Sequence, residues 1–468
     1  MELKSFLGHS KNYISANFFL KGLTFLTMPI FTRLLSPSDY GVISIFTTFV
    51  GFFSIFFMMG LDSSINLYFF EKDKVYDEFL GSNIIFISVT GSVITVLILL
   101  FLNPLAGLIS VDKSIIVYAL ISCILSIPIT LISSYFQMTQ NSRKYSIYNI
   151  LKYSCITILS IILIVNLENS KYLGRLYAEL CVSAILFVVL LPQLLKLTKF
   201  NFNIKYIKYT FIVGFPLIPH ALTQIILNFS DRIIININSG ENDVGLYAFA
   251  YNIGMVINVV IMGMNQSWAP IFYGKLRDEK YRDIINLSPK FISIIFSIAL
   301  LLIVFSRELV IILGEKRYYS SFEIIPFVVL GYVFIFLYLL FANYAFYYKR
   351  NLRISLFSMI SAAINIALNI IFIPVYGYKF ASVSTMIAFL ILFLIQYIDV
   401  RNYVKKSNLI PLSKFFFRFL ILLAGFAYFY LINLFVINFA LELILNLIVS
   451  GFLIFLIFSY KPVIFKTT

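Results

Sequence analysis

Fourteen runs of mostly apolar residues follow one another along the chain, separated only by short polar segments. They occupy residues 12–32, 41–65, 79–103, 114–137, 147–166, 172–195, 209–235, 243–273, 285–313, 322–346, 354–374, 380–398, 415–435 and 439–460. About 20 residues of helix cross the hydrocarbon layer of a bilayer, so each run is long enough for one transmembrane helix. A helix also satisfies its own backbone hydrogen bonds in lipid. A membrane β-barrel would need alternation over about ten residues per strand, and runs such as SVITVLILLFL do not alternate. The pattern therefore predicts an all-α integral membrane fold of about 14 transmembrane helices.

Two parts of this pattern resemble each other. Thr27–Gly60 is a pair of apolar runs joined by the polar hinge RLLSPSDYG, and Ser230–Gly263 is a looser copy. Arg232 takes the place of Arg33, Gly245 that of Gly41, and Gly263 that of Gly60. A repeat at this distance predicts two similar helical bundles. Spans 1–6 (residues 1–195) would form an N-lobe and spans 7–12 (209–398) a C-lobe. The basic stretch 196–208 would link them, and spans 13–14 (399–468) would lie outside the repeat. The copies start an even number of spans apart, which makes them parallel repeats about an axis along the membrane normal.

Composition agrees with a lipid-embedded chain. Of 468 residues, 61% are apolar, and the mean hydropathy is +0.95. The net charge of +15 would suit nucleic acid, but the basic residues sit in the short segments between spans. With the N-terminus inside, the inner segments hold 23 Lys and Arg in 88 positions and the outer segments 6 in 46. That asymmetry predicts a cytoplasmic membrane protein with both termini in the cytoplasm, and it leaves no reason to expect a nucleic-acid partner. The three cysteines all fall inside apolar runs, which argues against a disulfide framework. No small-residue cleavage site follows the first apolar residues, so no removable signal peptide is expected. No large outer loop, Walker-type phosphate loop, nucleophile elbow or His-rich metal cluster occurs, and no enzyme, cofactor or metal site is expected.

Charges inside spans carry the candidate chemistry, because a charge facing lipid costs a few kcal/mol or more. Lys21 lies near the midpoint of span 1, where it would face a water-filled cavity or a buried partner. Arg175 and Glu179 are one helical turn apart in span 6; they either pair with each other or leave Glu179 as a titrating group that couples transport to H+ or Na+. Span 7 contains Pro216 and Pro219, which should kink or break it. His220, Gln224 and Asp231-Arg232 follow, candidates for coupling or gating because broken helices mark such sites in transporters. Arg33 and Arg232 stand at equivalent helix ends, with Asp39 and Asp231 as nearby acids. Asp39, after Ser-Pro-Ser, reads as a hinge residue and helix start. Lys152, Lys290 and Arg418 lie near inner ends and are expected to snorkel to water. Arg307-Glu308 would pair locally or with outer headgroups.

TRLLSPSDYG (Thr32–Gly41) followed by an apolar helix resembles the opening of Wzx-type polysaccharide or O-antigen flippases of the multidrug/oligosaccharidyl-lipid/polysaccharide (MOP) exporter superfamily. Phe211–Tyr273, with GFPLIPHALTQ, SDRIIIN, GLYAFAYNIG and WAPIFY, is similar to the start of that family's second half. The resemblance implies transport of an undecaprenyl-diphosphate-linked oligosaccharide, an O-antigen or capsule precursor of the lipopolysaccharide class, by alternating access across the inner membrane. It further implies a diphosphate held by cations in a polar cavity (Lys21, Arg33 and Arg232), a lipid tail along spans 13–14 among membrane lipids, an ion gradient as energy source, and a polysaccharide polymerase as partner. A lipid II flippase or multidrug antiporter of the same superfamily is the nearest alternative, and a membrane polymerase or ligase a more distant one.

Overall fold

The computed structural model describes residue 19 and residues 22–71, 75–435 and 438–459, the side chain of His220 apart. Among these residues it is built of helices, with no strand. They are α1 (22–34), α2 (Pro37–Met58), α3 (Leu61–Glu71), α4 (Tyr76–Leu100), α5 (Leu102–Ile109), α6 (Lys113–Met138), α7 (Ser142–Asn166), α8 (Tyr172–Lys196), α9 (Ile204–Val213), α10 (Ile218–Ser239), α11 (Glu241–Gly254), α12 (Val256–Arg277), α13 (Tyr281–Val304), α14 (Ser306–Leu313), α15 (Ile324–Tyr347), α16 (Asn351–Tyr376), α17 (Phe380–Arg401), α18 (Ser413–Asn433) and α19 (Phe439–Ser459). Twelve described helices are long and apolar enough to cross a membrane, and the bent pair α9–α10 makes a thirteenth span. The first expected run is represented by α1, its remainder lying outside the described residues.

Local chemistry explains where helices start and where apolar runs break. Ser36 and Asp39 form a reciprocal capping box at the head of α2, with Pro37 in its first turn, so the Ser-Pro-Ser-Asp hinge is a helix start. The run 41–65, expected to be continuous, instead divides at Met59 (φ 47°) and Gly60 (φ 75°). Run length does not report this left-handed step, because Leu61 and Ile65 carry the apolar run past it. The run 285–313 likewise divides at Phe305 into α13 and α14, as α4 divides from α5 at Phe101. Each long helix is thus followed by an eight-residue one. α11 and α12 together form a span of 37 residues, about 55 Å at the helical rise.

The chain divides into two compact units, Met1–Ala248 and Phe249–Thr468. In the first, α2 packs on α6, α10, α4 and α8. Its amino end meets the start of α11 through the two glycines that the repeat aligns. A Cβ on Gly41 would run into the carbonyl of Glu241, and one on Gly245 into the carbonyl of Pro37. Ser38 Oγ donates to Glu241 Oε2 at 3.1 Å beside this contact. Residues 197–203, the heart of the basic stretch, lie against the head of α4. Lys199 N–H donates to the Asp77 carbonyl, its Nζ lies 2.6 Å from the Asp77 carboxylate, and Ser82 Oγ donates to the Asn201 carbonyl. The Asp77 carboxylate accepts from the Lys199 ammonium and holds it above the usual lysine range. Tyr206 and Tyr209 donate to Glu78 and Glu71 at 3.1 and 2.8 Å.

In the second unit α15 is the most deeply buried span and packs on α17, while α13 packs on α18 and α19. A polar seam joins α16 to α17: Ser361 donates to the Ala388 carbonyl at 2.6 Å, Asn365 to Thr385 at 3.1 Å, and Ser384 to Asn369. Arg418 does not snorkel. It is buried, its Nε donating to Ser293 at 2.8 Å and its Nη1 to the Lys414 carbonyl at 2.6 Å, so its charge ties α18 to α13.

Overpacking against side chains costs about 1–3 kcal/mol, occasionally more, and backbone yields less readily. Gly245→Val should therefore lose several kcal/mol and most of the folded protein. Gly263→Ala, where an added Cβ meets nothing within 4 Å, should keep the wild-type melting profile. Fluorescence-detected size exclusion and thermal melts in detergent compare the two, and equal melting would dismiss the crossing as a constraint.

Candidate functional site

Two helix breaks in the first unit face each other. α9 stops at Gly214, a 3-10 turn at Phe215–Leu217 carries Pro216, and Pro219 sits in the first turn of α10. The two helices are bent by 45°, the kink that the two prolines predict. The opposing break is Met59–Gly60. A Cβ on Gly60 would overlap the Gly214 backbone, and a Cβ on Gly214 the Gly60 carbonyl.

A cavity of about 350 Å³ opens where the breaks meet, walled by α2, α3, α6, the 214–217 turn and α10. Its polar lining is Ser54, Asp62, Ser63, Ser126 and Thr130, and Phe57, Met58, Leu217 and Ile218 supply apolar wall. Ser54, Ser126 and Thr130 donate to carbonyls three or four residues back on their own helices, at 2.8, 2.8 and 3.0 Å. Their donors are thereby used, and oxygen lone pairs remain for a guest. Asp62 is exposed in the first turn of α3, where the helix dipole favours its negative charge. Among the described residues the cavity lining is thus rich in acceptors and negative in sign. It suits hydroxyl donors or a cation, and it repels phosphate.

The expected site residues are placed unevenly. Arg33 is exposed and donates to the Pro29 carbonyl at 3.0 Å. Arg232 is buried, its guanidinium 4.7 Å from the Phe229 ring centre, with Nη1 donating to the Asn228 carbonyl. Asp231 is buried and accepts from Tyr247. Asp39 serves the α2 cap and also accepts from the Tyr172 N–H at 3.2 Å. Arg175 and Glu179 lie 4.0 Å apart, and Arg175 reaches Ser160 on α7 at 3.2 Å. Gln224 is exposed on α10. Lys21 and the side chain of His220 lie outside the described residues. None of the described side chains among these lines the cavity, although Pro216 and Pro219 form the bend beside it. Asp62 has a signal in the sequence, an acid inside the apolar run 41–65, as has Glu442 inside the run 439–460.

Asp62→Cys should react from water with a charged, membrane-impermeant maleimide, in a background with Cys155 and Cys181 replaced by serine. Cys123, which lines the same cavity with its Sγ donating to the Val50 carbonyl at 3.4 Å, is replaced by alanine in that background. Mass spectrometry of the labelled protein decides the matter; an unreactive thiol in the Asp62→Cys variant would mean that water does not enter.

The family model described as "Polysaccharide biosynthesis protein" matches residues 12–274. Two proteins of Haemophilus influenzae are each 25% identical to this chain. The "Lsg locus putative protein 1" aligns over 76% of this chain and 88% of its own length, and an "Uncharacterized membrane protein" over 81% and 94%. Among solved structures, the lipid II flippase MurJ in an inward closed conformation superposes with a TM-score of 0.72 at 17% identity, over 96% of this chain and 98% of its own. An inward-facing multidrug resistance MATE family transporter of the MOP superfamily gives 0.64 at 15%, over 83% and 96%. At such identities the structures speak to the fold. The family model spans more than half of the sequence, and the chain belongs to the polysaccharide biosynthesis protein family, built as a multi-pass membrane protein on the fold of the MOP superfamily.

Proposed function

We propose that this protein is a flippase that carries an undecaprenyl-diphosphate-linked oligosaccharide, an O-antigen or capsule repeat unit, across the bacterial inner membrane by alternating access. The observation that carries this reading is the family match over residues 12–274, which encloses both copies of the hinge repeat and every residue lining the cavity. The likeness of fold to a lipid II flippase supports a lipid-linked substrate, and lipid II itself is the second reading; a multidrug antiporter is a third.

The chemistry of the cavity gives the proposal a division of labour. Sugar hydroxyls donate to Asp62 and to the serine and threonine oxygens. A volume of about 350 Å³ lies at the small end of ligand sites and accepts only part of an oligosaccharide. The diphosphate is repelled there and requires cations, for which Lys21, Arg33 and Arg232 are the candidates. The lipid tail stays among membrane lipids along α18 and α19. An H+ or Na+ gradient supplies the energy, with Glu179 and His220 as coupling candidates, and a polysaccharide polymerase takes up the product. Both termini lie in the cytoplasm.

The decisive experiment is the sidedness of lipid-linked glycan in a strain lacking this gene, probed with an impermeant sugar-oxidising reagent on intact spheroplasts. Complete repeat units held on the cytoplasmic face are expected. Complete units that reach the outer face but fail to polymerise would overturn the flippase reading in favour of a polymerase or ligase, and unchanged glycan with altered drug tolerance would favour the antiporter. In the complemented strain, Lys21→Ala should abolish export at normal membrane levels while Lys21→Arg retains part of it, and Asp62→Asn should lower export about tenfold, equivalent to about 1.4 kcal/mol. Normal export by Lys21→Ala would remove the cation from the mechanism. His220→Ala should alter the pH dependence of export if it couples protons, and an unchanged profile would dismiss that role.

A further inference from the structure

A second set of ionisable groups lies buried in the second unit. α14 carries Arg307 and Glu308 in succession, and α19 carries Glu442. Arg307 Nη1 donates to both carboxylate oxygens of Glu442, at 3.2 and 3.0 Å. Glu308 and Glu442 are each only 2% exposed. The sequence reading paired Arg307 locally or with headgroups; its partner is instead 135 positions away. Glu308 Oε1 accepts from Asn446 Nδ2 at 2.5 Å, and Asn446 Oδ1 accepts from Tyr428 on α18 at 2.9 Å. Glu308 Oε2 has no protein partner among the described residues.

Among the described residues, the surrounding elements supply no second cation to the pair. α13 offers the Val304 carbonyl, 3.5 Å from Asn446 Nδ2. α18 offers the Tyr428 phenol, and α19 offers Glu442 and Asn446. The turn Lys316–Ser321 presents Arg317, which lies 2.6 Å from Glu315, together with exposed Lys316 and half-buried Tyr319. Arg307 is about a third exposed and lines a second cavity, of about 360 Å³, with Tyr319, Ser320 and Phe322. The guanidinium is thus paired with Glu442, while Glu308, equally buried, has a hydrogen bond from Asn446 and no ion pair among the described residues. A buried carboxylate without a counter-charge is costly.

We propose that Glu308 is a proton-binding carboxyl, neutral while Arg307 stays paired with Glu442. The proton arrives from water through the cavity beside Arg307, forms the O–H bond on Oε2, and leaves by the same route as a solvated proton. On its loss Glu308 carries a full charge and competes with Glu442 for the guanidinium. The protonation state is thereby linked to how α19 is held against α13 and α14.

The test is difference infrared spectroscopy of the purified full-length protein in lipid nanodiscs, wild type against Glu308→Gln and Glu442→Gln. Gln mimics the shape of the neutral carboxyl, so Glu308→Gln should melt within a few degrees of wild type at neutral pH. Wild type should show a protonated-carboxyl C=O band at neutral pH that disappears in Glu308→Gln. In Glu442→Gln the guanidinium turns to Glu308, so that band should vanish at a pH lower by at least one unit. A wild-type band that persists unchanged in Glu308→Gln overturns the proposal, as does the absence of any such band in wild type. If the band is absent and sodium instead raises the melting temperature of wild type but not of Glu308→Gln, the pair holds a metal cation and the proton assignment falls. Should Glu308→Gln fail to fold, the Glu442→Gln shift decides alone. No glycan enters this measurement, so its outcome is independent of the flippase reading.

Discussion

The first unit depends on backbone brought against backbone. At the head of α2, Gly41 and Gly245 let two helices approach until carbonyls occupy the space of absent side chains; at its far end Gly60 and Gly214 do the same. Lipid tails are as apolar as leucine, so no hydrophobic driving force selects these contacts, and close packing of small residues must. The contacts fix where the two helix breaks meet, and the cavity follows from them. Its acceptors are supplied by helices whose positions relative to one another the glycines determine.

Much of this was legible in the sequence, for identifiable reasons. Span positions follow from run length, because lipid imposes the same apolar requirement on every residue of a crossing helix. The Gly41–Gly245 correspondence was visible as a repeat, though its meaning as a physical contact was not, since alignment does not distinguish equivalent positions from touching ones. The Pro216–Pro219 bend was readable because proline removes a backbone donor wherever it stands. The break at Met59–Gly60 was not, for a left-handed methionine leaves no mark on hydropathy.

Ionic partnerships were the least legible. Arg418 and Arg307 could be recognised as misplaced charges, but their partners, Ser293 and Glu442, come from distant spans. Asp62 stands in an apolar run that carries no basic residue to mark it. What decides between a snorkelling, a paired and a cavity-facing charge is which helix lies alongside, and that is a property of the bundle.

The Arg307–Glu442 pair also has a history. The two residues are 135 positions apart, so the ribosome makes α14 long before α19. At 5–20 residues per second, roughly 7 to 27 seconds separate them. During that interval Arg307 and Glu308 have no Glu442 or Asn446 to meet, so these charges must be sheltered, by the insertion machinery or by headgroup water, until α19 arrives. The polar interior of the second unit is therefore closed by a charge on α19, and a ribosome that stops short of that helix leaves it open.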